Sequence, residues 1–167
     1  MIKVRESHVA KKGEEEMKKL IAVILVVGLL VGMTSLALAD RGTAKEAKTM
    51  LDKAVAYLKA NGKDKAFPAF DDLKGQFVKE DLYIYVLDPT GTVVSHGANH
   101  ALIGKNLIDL KDSDGKKFVK AIIDDAKAKG KGTMDYKWTN PTSKKVEAKS
   151  VYFEKVGDLI VVCGFYK

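Results

Sequence analysis

From Thr43 onward, apolar residues recur at intervals of three and four: Ala47, Met50, Leu51, Ala54, Val55 and Leu58. That spacing predicts an amphipathic helix with one face turned to a core. Thr43-Ala44-Lys45-Glu46 supplies its start, because the threonine hydroxyl and the glutamate carboxylate can each accept from the other residue's backbone amide. Asn61-Gly62 supplies its stop, since glycine adopts the left-handed conformation that ends a helix. Phe67, Phe70, Leu73 and Phe77 continue the helical interval. A second short helix is expected to begin near Pro68, where a first turn has no use for the missing donor.

At Leu82 the interval changes to two. "LYIYVLD" reads as a strand, "DPTG" as a turn with proline in second position, and "TVVSH" as the returning strand. Gly97 to Asp114 has no regular period, and Leu102, Ile103, Leu107 and Leu110 are expected to anchor it as an ordered connection. Asp112 or Asp114 is placed to cap a third helix whose apolar face is Phe118, Val119, Ile122 and Ala126. Three more strands follow, Thr133 to Thr139, Val146 to Lys155 and Leu159 to Tyr166, joined by "NPTSKK" and "VGD". Hairpins dominate and no strand-helix-strand alternation recurs. The fold class is therefore α+β, PAS-like: a long N-terminal helix and a mainly antiparallel five-stranded sheet with helices packed to one side.

The segment before Thr43 has a different character. "MKK" at Met17 to Lys19, the uncharged run "LIAVILVVGLLVG" and the small residues Ala37 and Ala39 read as a secretory signal peptide cleaved after Ala39. Residues 1–39 are then an extension plus leader, and residues 40–167 a single domain, periplasmic or secreted. The alternative is a leader retained as a membrane anchor, since Leu20 to Ala39 is nearly long enough to cross a bilayer. Met1 to Glu16 mixes charges without apolar periodicity, which leaves Met17 as a second candidate start. No second apolar span follows, so the domain is expected to be free-standing and to report by diffusion or docking.

Composition narrows the class without naming a function. A chain of 167 residues with 46% hydrophobic and 31% charged residues is an ordinary globular protein. The formal charge is +7, of which about five positive charges belong to Asp40–Lys167, spread along the chain. No Arg/Lys cluster is interleaved with stacking aromatics, so no nucleic-acid partner is expected; the charge favours anionic metabolites or an acidic partner surface. The single cysteine, Cys163, excludes an internal disulfide, and its apolar surroundings read as a buried thiol.

Chemistry concentrates in "YKWTNPTSKKVEAKSVYFEKV", where Tyr136, Trp138, Lys149 and Tyr152 sit on the two arms of one hairpin. Aromatic faces turned toward a cation suggest a small anion between them. Tyr136 and Trp138, two apart, share a face of their strand. Lys149 and Tyr152, three apart, share one only if a bulge or strong twist intervenes. A lysine buried in a sheet is costly without an anion, and the competing expectation is that Lys149 snorkels to water. His96 and His100 have a zinc-like interval, but Gly97 interrupts any helix and no third ligand lies at suitable spacing, so no metal is expected. Catalysis has no support: there is no nucleophile elbow and no phosphate-cradling glycine loop. Asp71-Asp72 and Asp124-Asp125 read as solvated helix surface.

The succession "YIYVLDPTGTVVSH", "IGKNLIDLKDSDGKKFV", "YKWTNPTSKKVEAKSVYF" and "VVCGFY" resembles the single Cache domain, the extracytoplasmic ligand-sensing module of bacterial chemoreceptors and sensor kinases. The resemblance runs from Thr43 to Tyr166. It implies a non-enzymatic pocket on one face of the sheet, roofed by the connection after the second strand. The implied ligand is a short organic carboxylate of the acetate, propionate or pyruvate class. His96 falls at a pocket position and would hydrogen-bond that carboxylate, while His100 would lie at the loop surface. The implied partner is a membrane receptor or sensor kinase, and the long helix offers a homodimer surface. The competing function is an interaction module with a vestigial pocket that docks to a membrane receptor through that helix.

Overall fold

A computed structural model describes residues 41–167 of the chain. The leader, its cleavage after Ala39 and the start at Asp40 lie outside the described residues. No helix among the described residues is long and apolar enough to cross a membrane.

Helix α1 (Ala44–Asn61) opens with the capping box: the Glu46 amide donates to Thr43 Oγ1 at 3.3 Å, and the Thr43 amide to Glu46 Oε2 at 2.9 Å. It buries Ala47, Leu51, Ala54, Val55 and Leu58, and it ends at Gly62, whose φ of 72° few other residues adopt without strain. Helix α2 (Lys63–Asp71) starts immediately afterward, so Pro68 sits inside it rather than at its first turn. The carbonyl that Pro68 leaves without a donor belongs to exposed Asp64, where solvent can serve it.

The strands are β1 (Val78–Lys79), β2 (Leu82–Leu87), β3 (Val93–His96), β4 (Lys131–Thr139), β5 (Val146–Val156) and β6 (Leu159–Tyr166), and helix α3 (Phe118–Lys129) precedes β4. All pairings are antiparallel, in the order β3-β2-β6-β5-β4, with β1 sharing the β3 edge of β2. The last strand in sequence therefore lies in the middle of the sheet.

Helices cover both faces, not one. Leu82, Ile84 and Val86 of β2 and Leu159, Val161 and Cys163 of β6 pack under α1 and α2. The alternate residues Tyr83, Tyr85, Leu87, Ile160 and Val162 join Val151, Phe153 and α3 in a second core. All six residues of β2 are buried, which requires cover on both sides. The connection between β3 and α3 completes the second cover with Leu102, Leu107, Ile108 and Leu110, while Ile103 is exposed. Asp112 caps that connection, not α3: its carboxylate accepts from the amides of Asp114 (3.0 Å), Lys116 (2.8 Å) and, on β4, Lys137 (3.0 Å). Helix α3 begins only at Phe118, without a side-chain cap.

One buried carboxylate ties the ends of the domain together. Asp81, fully buried, accepts from the Gly42 amide at 2.7 Å and from Asn140 Nδ2 at 3.2 Å. The same Asn140 amide reaches Glu147 at 3.0 Å, and Glu147 pairs with Arg41, which also donates to the Lys167 carbonyl at 2.7 Å. Removing the Asp81 carboxylate strands the Gly42 N–H inside the protein, and hydrogen bonds to charged groups are the more costly to lose. Asp81→Ala is expected to lower unfolding free energy in urea by about 3 kcal/mol, with the variant still folding cooperatively.

Candidate functional site

Among the described residues, polar side chains converge in the second core beneath the β3–α3 connection. Strand β2 presents Tyr83 and Tyr85, β3 presents His96 at its end, β4 presents Tyr136 and Trp138, and Leu102, Leu107 and Phe118 close over them. They enclose a cavity of about 20 Å³, roughly the space one water needs. Phe118 stacks on Tyr136 at 4.1 Å and 9°, and Trp138 meets Phe118 edge-on at 5.5 Å.

Lys149 lies beside this cavity, 1% exposed. It does not snorkel. Its Nζ donates to Tyr83 Oη at 2.7 Å and, more weakly, to Tyr166 Oη at 3.4 Å. It also lies 3.9 Å from the Tyr83 ring centroid and 4.7 Å from that of Tyr166. Among the described residues no carboxylate pairs with it. Its partners are two phenols and their π faces, a setting that stabilises a cation but leaves its charge uncompensated. The ammonium is not in the cavity wall; it reaches the cavity through the Tyr83 hydroxyl.

Tyr152 does not join the site. β5 pairs with β4 and β6 in continuous register, without the bulge that would bring Lys149 and Tyr152 to one face. Tyr152 consequently faces the α1 side, against Phe165 at 6.2 Å.

His96 is held in a single tautomer. Its Nδ1 accepts from the amides of Ala98 (3.2 Å) and Asn99 (3.0 Å), which places the ring proton on Nε2. Burial, and then the charge of Lys149, push its pKa down to about 3, so the ring is neutral at ordinary pH. Tyr83 and Tyr85 stack against it at 5.0 and 5.8 Å. Its backbone is gripped by Asp71, which accepts from the His96 amide at 2.8 Å and from Ser95 Oγ at 2.6 Å. Asp71 is thus no solvated helix-surface acid: it is the C-terminal residue of α2 and fixes the end of β3. His100 lies outside, exposed, with Nε2 at 2.6 Å from the Asp71 carbonyl. Among the described residues no His, Cys, Asp or Glu cluster could hold a metal.

Tyr85 Oη and Tyr136 Oη lie 3.1 Å apart, and burial raises the pKa of both phenols, which keeps their protons in place. Tyr166 Oη donates to the Thr139 carbonyl at 2.9 Å. Tyr83, Tyr85 and Tyr166 escaped the sequence reading, although Tyr83 and Tyr85 obey the same two-residue parity as Tyr136 and Trp138. Cys163 lies on the far face of the sheet, where burial pushes its thiol up to about 12.

Comparison with known proteins places this geometry. A structure of a methyl-accepting chemotaxis protein from Vibrio parahaemolyticus is 27% identical, covers 73% of this chain and 86% of its own, and superposes with a TM-score of 0.64. A Cache chemosensory domain described for carboxylic acid recognition is 21% identical over 73% of this chain and 86% of its own, TM-score 0.57, and shares the fold. The sensor histidine kinase MctS of Rhizobium johnstonii is 36% identical over 70 residues, 42% of this chain but only 15% of the kinase. The family described as single Cache domain 2 matches residues 9–167. By that match the chain belongs to the single Cache domain 2 family, whose members are non-catalytic extracytoplasmic sensory modules linked to chemoreceptors and sensor kinases.

Proposed function

We propose that this domain binds a short organic carboxylate, of the acetate, propionate or pyruvate class, beneath the β3–α3 connection. On this reading the leader is cleaved after Ala39, and the domain of residues 40–167 reports occupancy to a membrane receptor or sensor kinase. The observation that carries the reading is a surplus of donors. Tyr85 and Tyr136 share one hydrogen bond between two hydroxyls, which leaves one proton over. The Tyr83 hydroxyl accepts from Lys149 and keeps its own proton, and neutral His96 carries an Nε2–H. The Trp138 indole N–H adds another. Among the described residues the spare Tyr85/Tyr136 proton, the His96 Nε2–H and the Trp138 N–H have no protein acceptor, the Tyr83 hydroxyl is shared only with Tyr166, and the formal charge that acts most on His96 is the Lys149 cation. Donors without acceptors, beside one uncompensated positive charge, suit a small monoanion.

Lys149 would act through Tyr83. A phenol that accepts from an ammonium is a stronger donor at its own proton, and in a dry site the charge itself is felt across a few ångströms. Trp138 and Phe118 supply an apolar wall for the ligand's carbon end. The Cache domain that shares this fold is described for carboxylic acid recognition, which supports the same class here.

A cavity of about 20 Å³ is the observation that favours a second reading, an interaction module whose pocket is vestigial. Acetate needs more room, so binding requires the roof of Leu102 and Leu107 to lift. A thermal-shift screen of the purified protein against short carboxylates, their amides, amino acids and amines separates the two. Stabilisation by acids but not by amides supports the carboxylate reading, and a flat response across the screen supports the module.

Lys149→Met keeps the stem's volume and removes the charge. Carboxylate affinity is expected to fall at least about tenfold, while stability without ligand rises, because an uncompensated ammonium no longer has to be desolvated. Calorimetry and urea denaturation on the one variant read both quantities, and unchanged values for both would remove Lys149 from the site.

The neutral state of His96 has a pH signature. As pH falls below about 6.5, the unfolded chain takes up the imidazole proton first, and the folded protein resists it down to about 3. The stability His96 contributes is therefore complete above pH 6.5 and is lost on acidification, by up to about 1.4 kcal/mol per pH unit. His96→Asn retains a side-chain acceptor for the Ala98 and Asn99 amides but does not titrate. The difference between parent and variant stability should grow in the parent's disfavour between pH 6.5 and 4; parallel curves would show that His96 is not held neutral.

A further inference from the structure

Strand β6 separates Lys149 on β5 from Tyr83 on β2. Adjacent strands lie about 4.8 Å apart, so two spacings separate the backbones of β5 and β2. The Lys149 stem must cross β6 to bring Nζ to the Tyr83 hydroxyl. It crosses at Gly164: a Cβ on that glycine would lie 2.6 Å from Lys149 Cε, 2.5 Å from Val151 Cγ1 and 2.8 Å from the Ser150 carbonyl oxygen. Any side chain there would close the lane the lysine uses. Two residues on, Tyr166 is the register partner of Lys149 and places its hydroxyl 3.4 Å from Nζ. That hydroxyl is itself oriented, because it donates to the Thr139 carbonyl at 2.9 Å and so turns its lone pairs to the ammonium.

We propose that Gly164 and Tyr166 are positioning residues of the pocket: the glycine opens the path across β6, and the tyrosine hydroxyl holds the Lys149 ammonium against Tyr83. Neither touches the cavity, and both act through Lys149. The effect on ligand binding rests on the carboxylate reading; the effect on Lys149 does not.

Two stability cycles test the positioning with no ligand present. Tyr166→Phe keeps the ring and removes the hydroxyl. Its urea midpoint should drop further in the parent than in the Lys149→Met background, where only the Thr139 carbonyl loses a partner. Gly164→Ala should likewise cost less in the Lys149→Ala background, where the Lys149 contact, one of three close ones, has been removed. Equal drops in both backgrounds in both cycles would overturn the proposal.

The binding arm uses acetate and acetamide, which match in shape and differ in charge. Tyr166→Phe is expected to lower the acetate-over-acetamide affinity ratio about fivefold, the worth of one hydrogen bond. A residue with only a structural role would weaken both probes alike, and an unchanged ratio would count against positioning. Should the parent bind neither probe at millimolar concentration, the carboxylate reading fails, and the two cycles still decide the role of β6.

Discussion

An ammonium 1% exposed and without a carboxylate partner among the described residues is the constraint around which this domain is arranged. Isolated in an apolar core, such a charge would be lost to protonation equilibrium or would pull the strand open to water. Here it is distributed over two phenol oxygens and two aromatic faces, supplied by the strand its stem crosses and the strand beyond it. Those phenols must themselves be fixed, and the sheet does this by burying β2 and β6 from both sides. Helices α1 and α2 cover one face with an apolar core of aliphatic and aromatic side chains, which leaves the other face free to carry the buried histidine and lysine among its tyrosines. The apolar face supplies cohesion, and the polar face supplies chemistry.

The order of the strands serves the same end. The chain's last strand lies between β2 and β5, so the residues that meet around Lys149 come from positions 83, 149 and 166. Contacts of that sequence separation form late and at a cost in loop closure. Two carboxylates offset part of it by pinning segments that would otherwise be loose. Asp81 holds the approach to α1 and the β4–β5 turn; Asp71 holds the end of β3, and with it the backbone of His96.

Most of the fold was legible because it rests on local signals. The capping box at Thr43 and Glu46, the change of period at Leu82 and the turn residues between strands each act within a few positions. The long strands were placed within two residues of their observed limits. What failed was what depends on tertiary context. Pro68 entered a helix because Gly62 restarted the chain just before it. Asp112 turned back to cap its own loop. Helices on both faces were missed although β2, with every residue apolar or aromatic, already carried the two-sided pattern. In the site, strand parity brought Tyr136 and Trp138 together and raised the conflict between Lys149 and Tyr152, which the continuous register resolved against Tyr152. The partners of Lys149 were not legible, because nothing local connects Tyr83 or Gly164 to residue 149.

The placement of the lysine also determines where its cost is met. A surface lysine that closes on an anion must shed its water at the moment of binding, and most of the Coulomb gain is cancelled. In this domain the desolvation of Lys149 is already incurred during folding, spread over a core large enough to bear it. The Tyr83 hydroxyl and the neutral His96 ring are likewise held in place by stacking and by backbone amides before any ligand arrives. On the proposed reading, a small anion would meet donors that need little reorganisation, and few contacts could suffice for it. Above them, apolar Leu102 and Leu107 rest on the site as a roof, and Asp112 holds their loop to β4 through the Lys137 amide. On the proposed reading, selection by charge would reside in the sheet, and access in the connection above it.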